Sequence, residues 1–312
     1  MGQIEANLPV WASDKFFRDF RKIIENAKEI AVLIQSNAHQ NFETFKNDNS
    51  IRAIFEKHVE GRGNILLGVG IYSYFGLQKL LTENKDVEEA IKAFDAALRL
   101  AEEENEFIAY HCCLQILVGH LFEASKVDTL FSSKLNEVLF RAAESVSTSD
   151  APTSYKLDVL EMWLSNLSGV EGFEIPDIFW CSLLQCGEDS TLETPKSFVA
   201  NELRKITLLA TYRAHRFYLA TGFSNLLAAV ERYQDHISTE DATVIQTRIQ
   251  GILELCNVPV SELPDPSKNS ESFKVLDETG RYVEVTNPVH RLILFIDEVR
   301  QIVAKLGFNK QN

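Results

Sequence analysis

From Val87 to Ala101 the apolar residues stand at positions 87, 90, 91, 94, 97, 98 and 101. Steps of one and three put all of them on one face of a helix. Asp86 occupies the N-cap position, and Glu89, three residues on, completes a capping-box pattern. Stripes of this kind recur along the chain, and 14 Gly and 8 Pro in 312 residues do little to interrupt them. A β protein of this length needs turn residues far more often. The chain is therefore expected to be all-α, with about eleven helices arranged as irregular stacked antiparallel helix pairs or a helical bundle. A hydrophobic share of 45% is ample for its core.

The periodicity predicts a first helix over 14–35, carried by Phe16, Phe17, Phe20, Ile23, Ile24, Ala27, Ile30, Ala31 and Ile34 behind a Ser13 cap. Further helices are predicted at about 39–59, 106–124, 127–146, 154–168, 176–186, 195–220, 223–236, 240–256 and 288–306. Pro176, Pro195 and Pro288 stand at first-turn positions, and Gly187 and Gly307 stand where helices end. Gly61, Gly63, Gly68, Gly70 and Gly76 crowd one short segment, the mark of a neighbouring helix in close approach. The polar run 147–153 divides the chain into an N-terminal helical domain, 1–150, and a C-terminal one, 151–312. Within the second, 273–285 alternates around a Gly-containing turn and is expected to form a small β-hairpin near the C-terminus.

The segment 74–102 carries Tyr74 and Leu77, then Ala90, Phe94 and Ala97, in the order and spacing of large and small residues along a helix-turn-helix repeat. In this it resembles a tetratricopeptide repeat. It departs from that pattern at Gln78, Leu81 and Glu102, which replace the usual Gly, Tyr and Pro. The next predicted pair of helices begins too far along for a regular array of about 34-residue units. The resemblance implies stacked antiparallel helix pairs and a groove able to receive a peptide.

With 31 Lys and Arg against 45 Asp and Glu, the formal charge is −14, the wrong sign for neutralising phosphates, so no nucleic-acid partner is expected. The start Met1-Gly2-Gln3-Ile4-Glu5-Ala6 lacks the cationic flank and apolar core of a secretory signal, and Ala6 stands where myristoylation favours Ser or Thr. A cytoplasmic protein is the expectation. The five cysteines, Cys112, Cys113, Cys181, Cys186 and Cys256, form no CxxC pair and suit reduced, buried thiols. The longest uncharged stretches, 64–78 and 107–122, fall short of the roughly 20 apolar residues of a membrane span and read as core helices.

Chemistry-bearing motifs are sparse. The seven histidines form neither HExxH nor ExxH, so no metal site and no cofactor are expected. Neither GxSxG nor GxxxxGK[ST] occurs, and Gly68-Val69-Gly70 lacks the third glycine of a dinucleotide loop. Arg52 and His58 have the spacing seen in all-helical HEPN ribonucleases, where His moves a proton and Arg holds the phosphate. Ala53 stands where that pattern has a polar residue, and the net charge opposes RNA.

Two surfaces are candidates for a partner. Residues 86–106 carry eight acidic residues, Glu102, Glu103 and Glu104 among them, against Lys92 and Arg99, a face suited to a basic partner. Arg213 and Arg216 interleave with aromatic residues and suit a carboxylate. The sequence thus reads as a non-enzymatic interaction module, an adaptor, scaffold or regulatory subunit that holds a protein or peptide. The alternative is a helical enzyme or small-molecule carrier with a pocket among Gly68, Gly70, Tyr72, Tyr74, Tyr110 and His111, and the ribonuclease reading is third. Oligomeric state is not encoded in any motif.

Overall fold

The computed structural model describes residues 32, 34–36, 40–58, 63–103, 106–187, 194–258, 273–276, 282–285 and 288–305, with side chains for all of these but 54–58, 63–64 and the segments 273–276 and 282–285. The fold is all-α, with twelve α-helices among the described residues. Most of the helix expected over 14–35, together with Glu104 and Gly307, lies outside them. The chain divides into two compact units, residues 1–151 and 152–312.

Unit 1 holds α1 (Phe42–Lys46), α2 (Asn49–His58), α3 (Gly63–Leu81), α4 (Val87–Glu102), α5 (Phe107–Val127) and α6 (Leu130–Thr148). The single helix expected over 39–59 is two. Asn41 caps α1 by accepting from the Thr44 N–H at 2.8 Å, and Asp48 accepts from the Ser50 N–H at 2.7 Å. These short polar side chains offer the backbone an alternative to a continuous helix, and the chain restarts at Asp48. On α4 the side chain of Asp86 accepts from the Glu89 N–H at 3.2 Å, and Ala90, Ala93, Phe94, Ala97, Leu98 and Ala101 are buried.

The core helices of this unit are α3 and α5, apolar on nearly every side. Leu66, Leu67, Val69, Ile71 and Phe75 of α3 are buried, as are Cys113, Leu114, Leu117 and Leu121 of α5. Each buried Leu, Ile or Phe contributes about 1.5–3 kcal/mol. Among the described residues α5 alone is long and apolar enough to cross a membrane, and half of its apolar window is buried within the protein. Gly76 sets the distance between α3 and α4: a Cβ there would meet the Ala90 carbonyl oxygen at 3.0 Å, Phe94 Cε2 at 3.2 Å and Ala93 Cβ at 3.3 Å.

Unit 2 holds α7 (Thr153–Ser168), α8 (Asp177–Gln185), α9 (Pro195–Thr211), α10 (Arg216–Arg232), a single 3-10 turn (Gln234–His236), α11 (Thr239–Leu255) and α12 (Pro288–Lys305). Its core gathers Trp163, Phe179, Ile206, Leu209, Phe223 and Ile296. The backbone segments Phe273–Leu276 and Tyr282–Val285 pair antiparallel, Phe273 opposite Val285 and Leu276 opposite Tyr282, and the residues between them lie outside those described.

The helices expected over 195–220 and 223–236 break elsewhere, at 212–215. Arg213 adopts a left-handed conformation, φ 57°. The Ala214 N–H donates to the Leu209 carbonyl at 2.8 Å and the Arg213 N–H to the Ala210 carbonyl at 3.2 Å. This double closure is the Schellman ending, with Arg in the place usually taken by Gly. Asn257 ends α11 in the same way, at φ 54°, with the Val258 N–H donating to Leu253 at 3.1 Å. Both endings are buried on their apolar side, at Ala214 and Leu209 for the first and Val258 and Leu253 for the second.

Candidate functional site

The direction of the helices in unit 1 follows from their side-chain contacts. Gly70 of α3 faces Ile116 of α5, with 3.9 Å between the position of a Gly70 Cβ and Ile116 Cγ2. Further along both helices, Ser73 Oγ lies 2.6 Å from His120 Nδ1, and the Tyr74 ring stands edge-on to His120 at 5.9 Å. Residue numbers rise together, so α3 and α5 run the same way. Helices α4 and α6 also run the same way: Phe94 meets Phe131 at 5.4 Å, Asp95 pairs with Lys134 and Glu102 pairs with Arg141.

Along the α3/α5 seam the half-buried residues Gly70 and Tyr74 stand beside Ile116 and His120, Gln78 lies one turn further along α3 and is also half-buried, and Gly119 is exposed. A Cβ on Gly119 would meet nothing within 4 Å. The seam is thus a shallow strip with aromatic, amide and imidazole groups and open space at its middle. No motif pointed to Gly119, and Gln78 and His120 entered only as a departure from the repeat pattern and as the His of an HxxE spacing, because the strip exists only once α3 and α5 lie side by side.

The two histidines on α5 sit at different seams. His111 is fully buried; its Nε2 lies 3.0 Å from Ser145 Oγ of α6, and its ring is flanked by Phe107 at 4.8 Å and Tyr110 at 5.5 Å. Burial pushes His111 down to about 3 and His120 to about 4, so both imidazoles are neutral at pH 7. Burial also lifts the Cys112 thiol to about 12, which leaves it protonated and unreactive.

The residues expected to line a pocket, Gly68, Gly70, Tyr72, Tyr74, Tyr110 and His111, fall in different settings, with Tyr110 beside His111 at 5.5 Å between ring centroids. Gly70 and Tyr74 lie at the α3/α5 seam, whereas Gly68 is buried. Tyr72 is buried against Phe42, ring centroids 5.1 Å apart, and His111 faces α6. Arg52 is exposed on α2, and the side chain of His58 lies outside the described residues. No group of three His, Cys, Asp or Glu side chains is placed to hold a metal among the described residues.

The acidic face is partly neutralised from within. Glu102 pairs with Arg141, which also holds Glu137 at 2.8 Å; Asp95 pairs with Lys134; Lys92 holds Glu88 at 3.0 Å and Glu89 at 2.9 Å. Glu103 is exposed at the end of α4. In unit 2, Arg213 and Arg216 are both exposed, one in the left-handed turn and one opening α10 beside Phe217, which is itself 65% exposed. The chain matches no protein-family profile, no curated protein and no solved structure.

Proposed function

We propose that the protein is a non-enzymatic interaction module, an adaptor, scaffold or regulatory subunit, and that unit 1 holds a protein or peptide along the α3/α5 strip. The observation that carries this reading is the paired register of the helices, α3 beside α5 and α4 beside α6, each pair running the same way. That is how two stacked antiparallel helix pairs of tetratricopeptide-like form meet, and it leaves the first helices of both pairs on one side. The tight Gly76 contact with Ala90, Ala93 and Phe94 fits the same packing of small against large residues. A closed hairpin over 273–285 and a cytoplasmic location belong to this reading.

With Glu102 engaged by Arg141, the exposed Glu103 is the member of the acidic face placed to add charge contact with a basic partner. Arg213 and Arg216 offer a separate edge for a carboxylate. Against the small-molecule alternative, Tyr74 stands edge-on to His120 whereas His111 lies beside Ser145 of α6.

Native mass spectrometry of the protein purified from its own source, beside Gly119→Trp, tests the reading. An indole at 119 fills the open middle of the strip. A stoichiometric polypeptide on the wild type that is lost from the variant supports the module. A bound mass of a few hundred daltons retained by both, with no polypeptide on either, overturns it.

A further inference from the structure

Between Glu202 and Glu231 the chain has no acidic residue, although its acids outnumber its cations by 45 to 31 overall. Of the cations in that stretch, Arg204 is bound by Asp158 and Glu161, and Lys205 by Glu202. Arg213 and Arg216 are different. Both are exposed, and among the described residues neither makes an ion pair. They lie at one corner, where α9 turns into α10, with their Cα atoms at most about 11 Å apart. Between them His215 turns its ring back on the chain, Nδ1 accepting from the Phe217 N–H at 3.3 Å, which leaves Nε2–H as a donor. Asp177 of α8 reaches the same region but is engaged by the Tyr218 hydroxyl.

The corner also carries an aromatic residue. Phe217 is 65% exposed; its ring stands edge-on to Tyr218 at 5.6 Å, and Tyr218 lies 6.4 Å from the buried Trp180. Local stability explains neither arginine. Arg213 sits in the left-handed position, φ 57°, where Gly is unstrained and a long side chain is not. Its charge suits the last carbonyls of α9, which offsets part of that strain. Arg216 opens α10, the end at which the helix dipole disfavours a cation. Residues that depart from local rules in this way are pointers to function.

We propose that this corner docks an acidic segment of a partner protein, whose carboxylates pair with Arg213 and Arg216 while an aromatic or apolar side chain covers Phe217. The inference rests on the interaction-module reading and adds the chemistry of a partner. The guanidinium fork takes a carboxylate bidentately, and Arg beside an exposed aromatic ring is the composition found at interface centres. A nucleic acid or an anionic bilayer brings its charge against the whole chain, whose −14 repels it. A short acidic segment meets chiefly the charges within about 8 Å, the screening length at physiological salt.

The test is fluorescence anisotropy of the full chain with a rhodamine-labelled peptide of glutamates flanking one phenylalanine, beside its twin with glutamine for glutamate. Wild type should bind the acidic peptide about tenfold more tightly. Arg213→Gly and Arg216→Gln should each weaken it about threefold, the scale of exposed pairs, and together about tenfold. Phe217→Ser should weaken it about fivefold. Arg213→Gly should do so while raising the thermal midpoint, whereas replacing an arginine held there for the fold alone would lower it. No binding, equal affinity for the two peptides, or full affinity in the double variant overturns the proposal. So does displacement by inorganic phosphate as effective as by the unlabelled peptide, which marks a general anion site. A second copy of the chain is the other acidic occupant, and a dimer in sedimentation that the double variant breaks assigns the corner to it instead. A polypeptide on the α3/α5 strip that persists through any of these failures leaves the module reading standing, since strip and corner belong to different units.

Discussion

Lys205 reaches back one turn along α9 to place Nζ 2.7 Å from Glu202 Oε1, and both side chains are buried. The same ammonium donates to the Leu184 carbonyl at 3.2 Å, an oxygen in the last turn of α8, so it closes that helix end as well. Removing one partner of a buried pair costs about 3–5 kcal/mol, because the other charge stays behind. Lys205→Met should therefore destabilise unit 2 by that amount in urea unfolding. The double variant Lys205→Met, Glu202→Leu should recover most of it.

Arg213 and Asn257 occupy a backbone region that favours glycine. A non-glycine residue there costs about 1–2 kcal/mol, less for Asn. Arg213→Gly is expected to raise the thermal midpoint, Asn257→Gly to change it less, and Arg213→Val to lower it. Scanning calorimetry of the three variants gives the order directly.

Two glycines on neighbouring helices should respond with opposite signs. At Gly76 a methyl group meets the Ala90 carbonyl at 3.0 Å, a backbone atom that moves only if α4 moves, so Gly76→Ala should destabilise by about 1–3 kcal/mol. At Gly119 the space is open, and Ala is favoured over Gly in a helix interior by about 1 kcal/mol. Gly119→Ala should stabilise, and chemical unfolding of both variants checks the sign.

Asp241 offers a pH window at the acid end. Lys196 at 2.9 Å and the hydroxyl and backbone N–H of Ser238, in a capping box at the start of α11, hold its carboxyl down at about 2. A carboxylate whose folded value is depressed contributes above its ordinary value of 3.8 and loses that contribution as pH falls toward 2. Amide exchange in the first turn of α11 should accelerate over that window in wild type. In Asp241→Asn the acceleration should be absent.

How far the fold was legible depended on whether the signal was local. The α4 stripe and the Asp86 cap are local, and the helix begins and packs as its spacing predicts. Pro195 and its Thr194 cap are local too. The end of α9 was missed because the residue in the left-handed position is Arg213, and a sequence reader looks for Gly. The division between α1 and α2 was missed because Asn47 and Asp48 act through hydrogen bonds that outweigh the surrounding periodicity. In the strip, Tyr74 and Gly70 were marked as candidates, yet the partners that give them a setting, Ile116 and His120, lie 46 residues from each. Ion pairing across 39 residues likewise changed the acidic face, which composition alone presents as unopposed charge.

The two seams of unit 1 keep different counts. Ser73 faces His120 and Asp95 faces Lys134, so the chain uses 22 residues to travel round the first bend and 14 round the second. Part of the difference lies in the longer first connection. The rest lies in α4, which begins eight residues before Asp95 where α6 begins four before Lys134. Helix α4 therefore projects past α6 by about four residues, roughly 6 Å of rise, while α3 outruns α5 by one. Leu81, 58% exposed at that projecting end, and Lys85, which reaches the Val127 carbonyl at 3.4 Å, are where the overhang shows. The end of the unit is a stair, and a further pair of helices laid against it would meet a tread and a riser in place of a level floor.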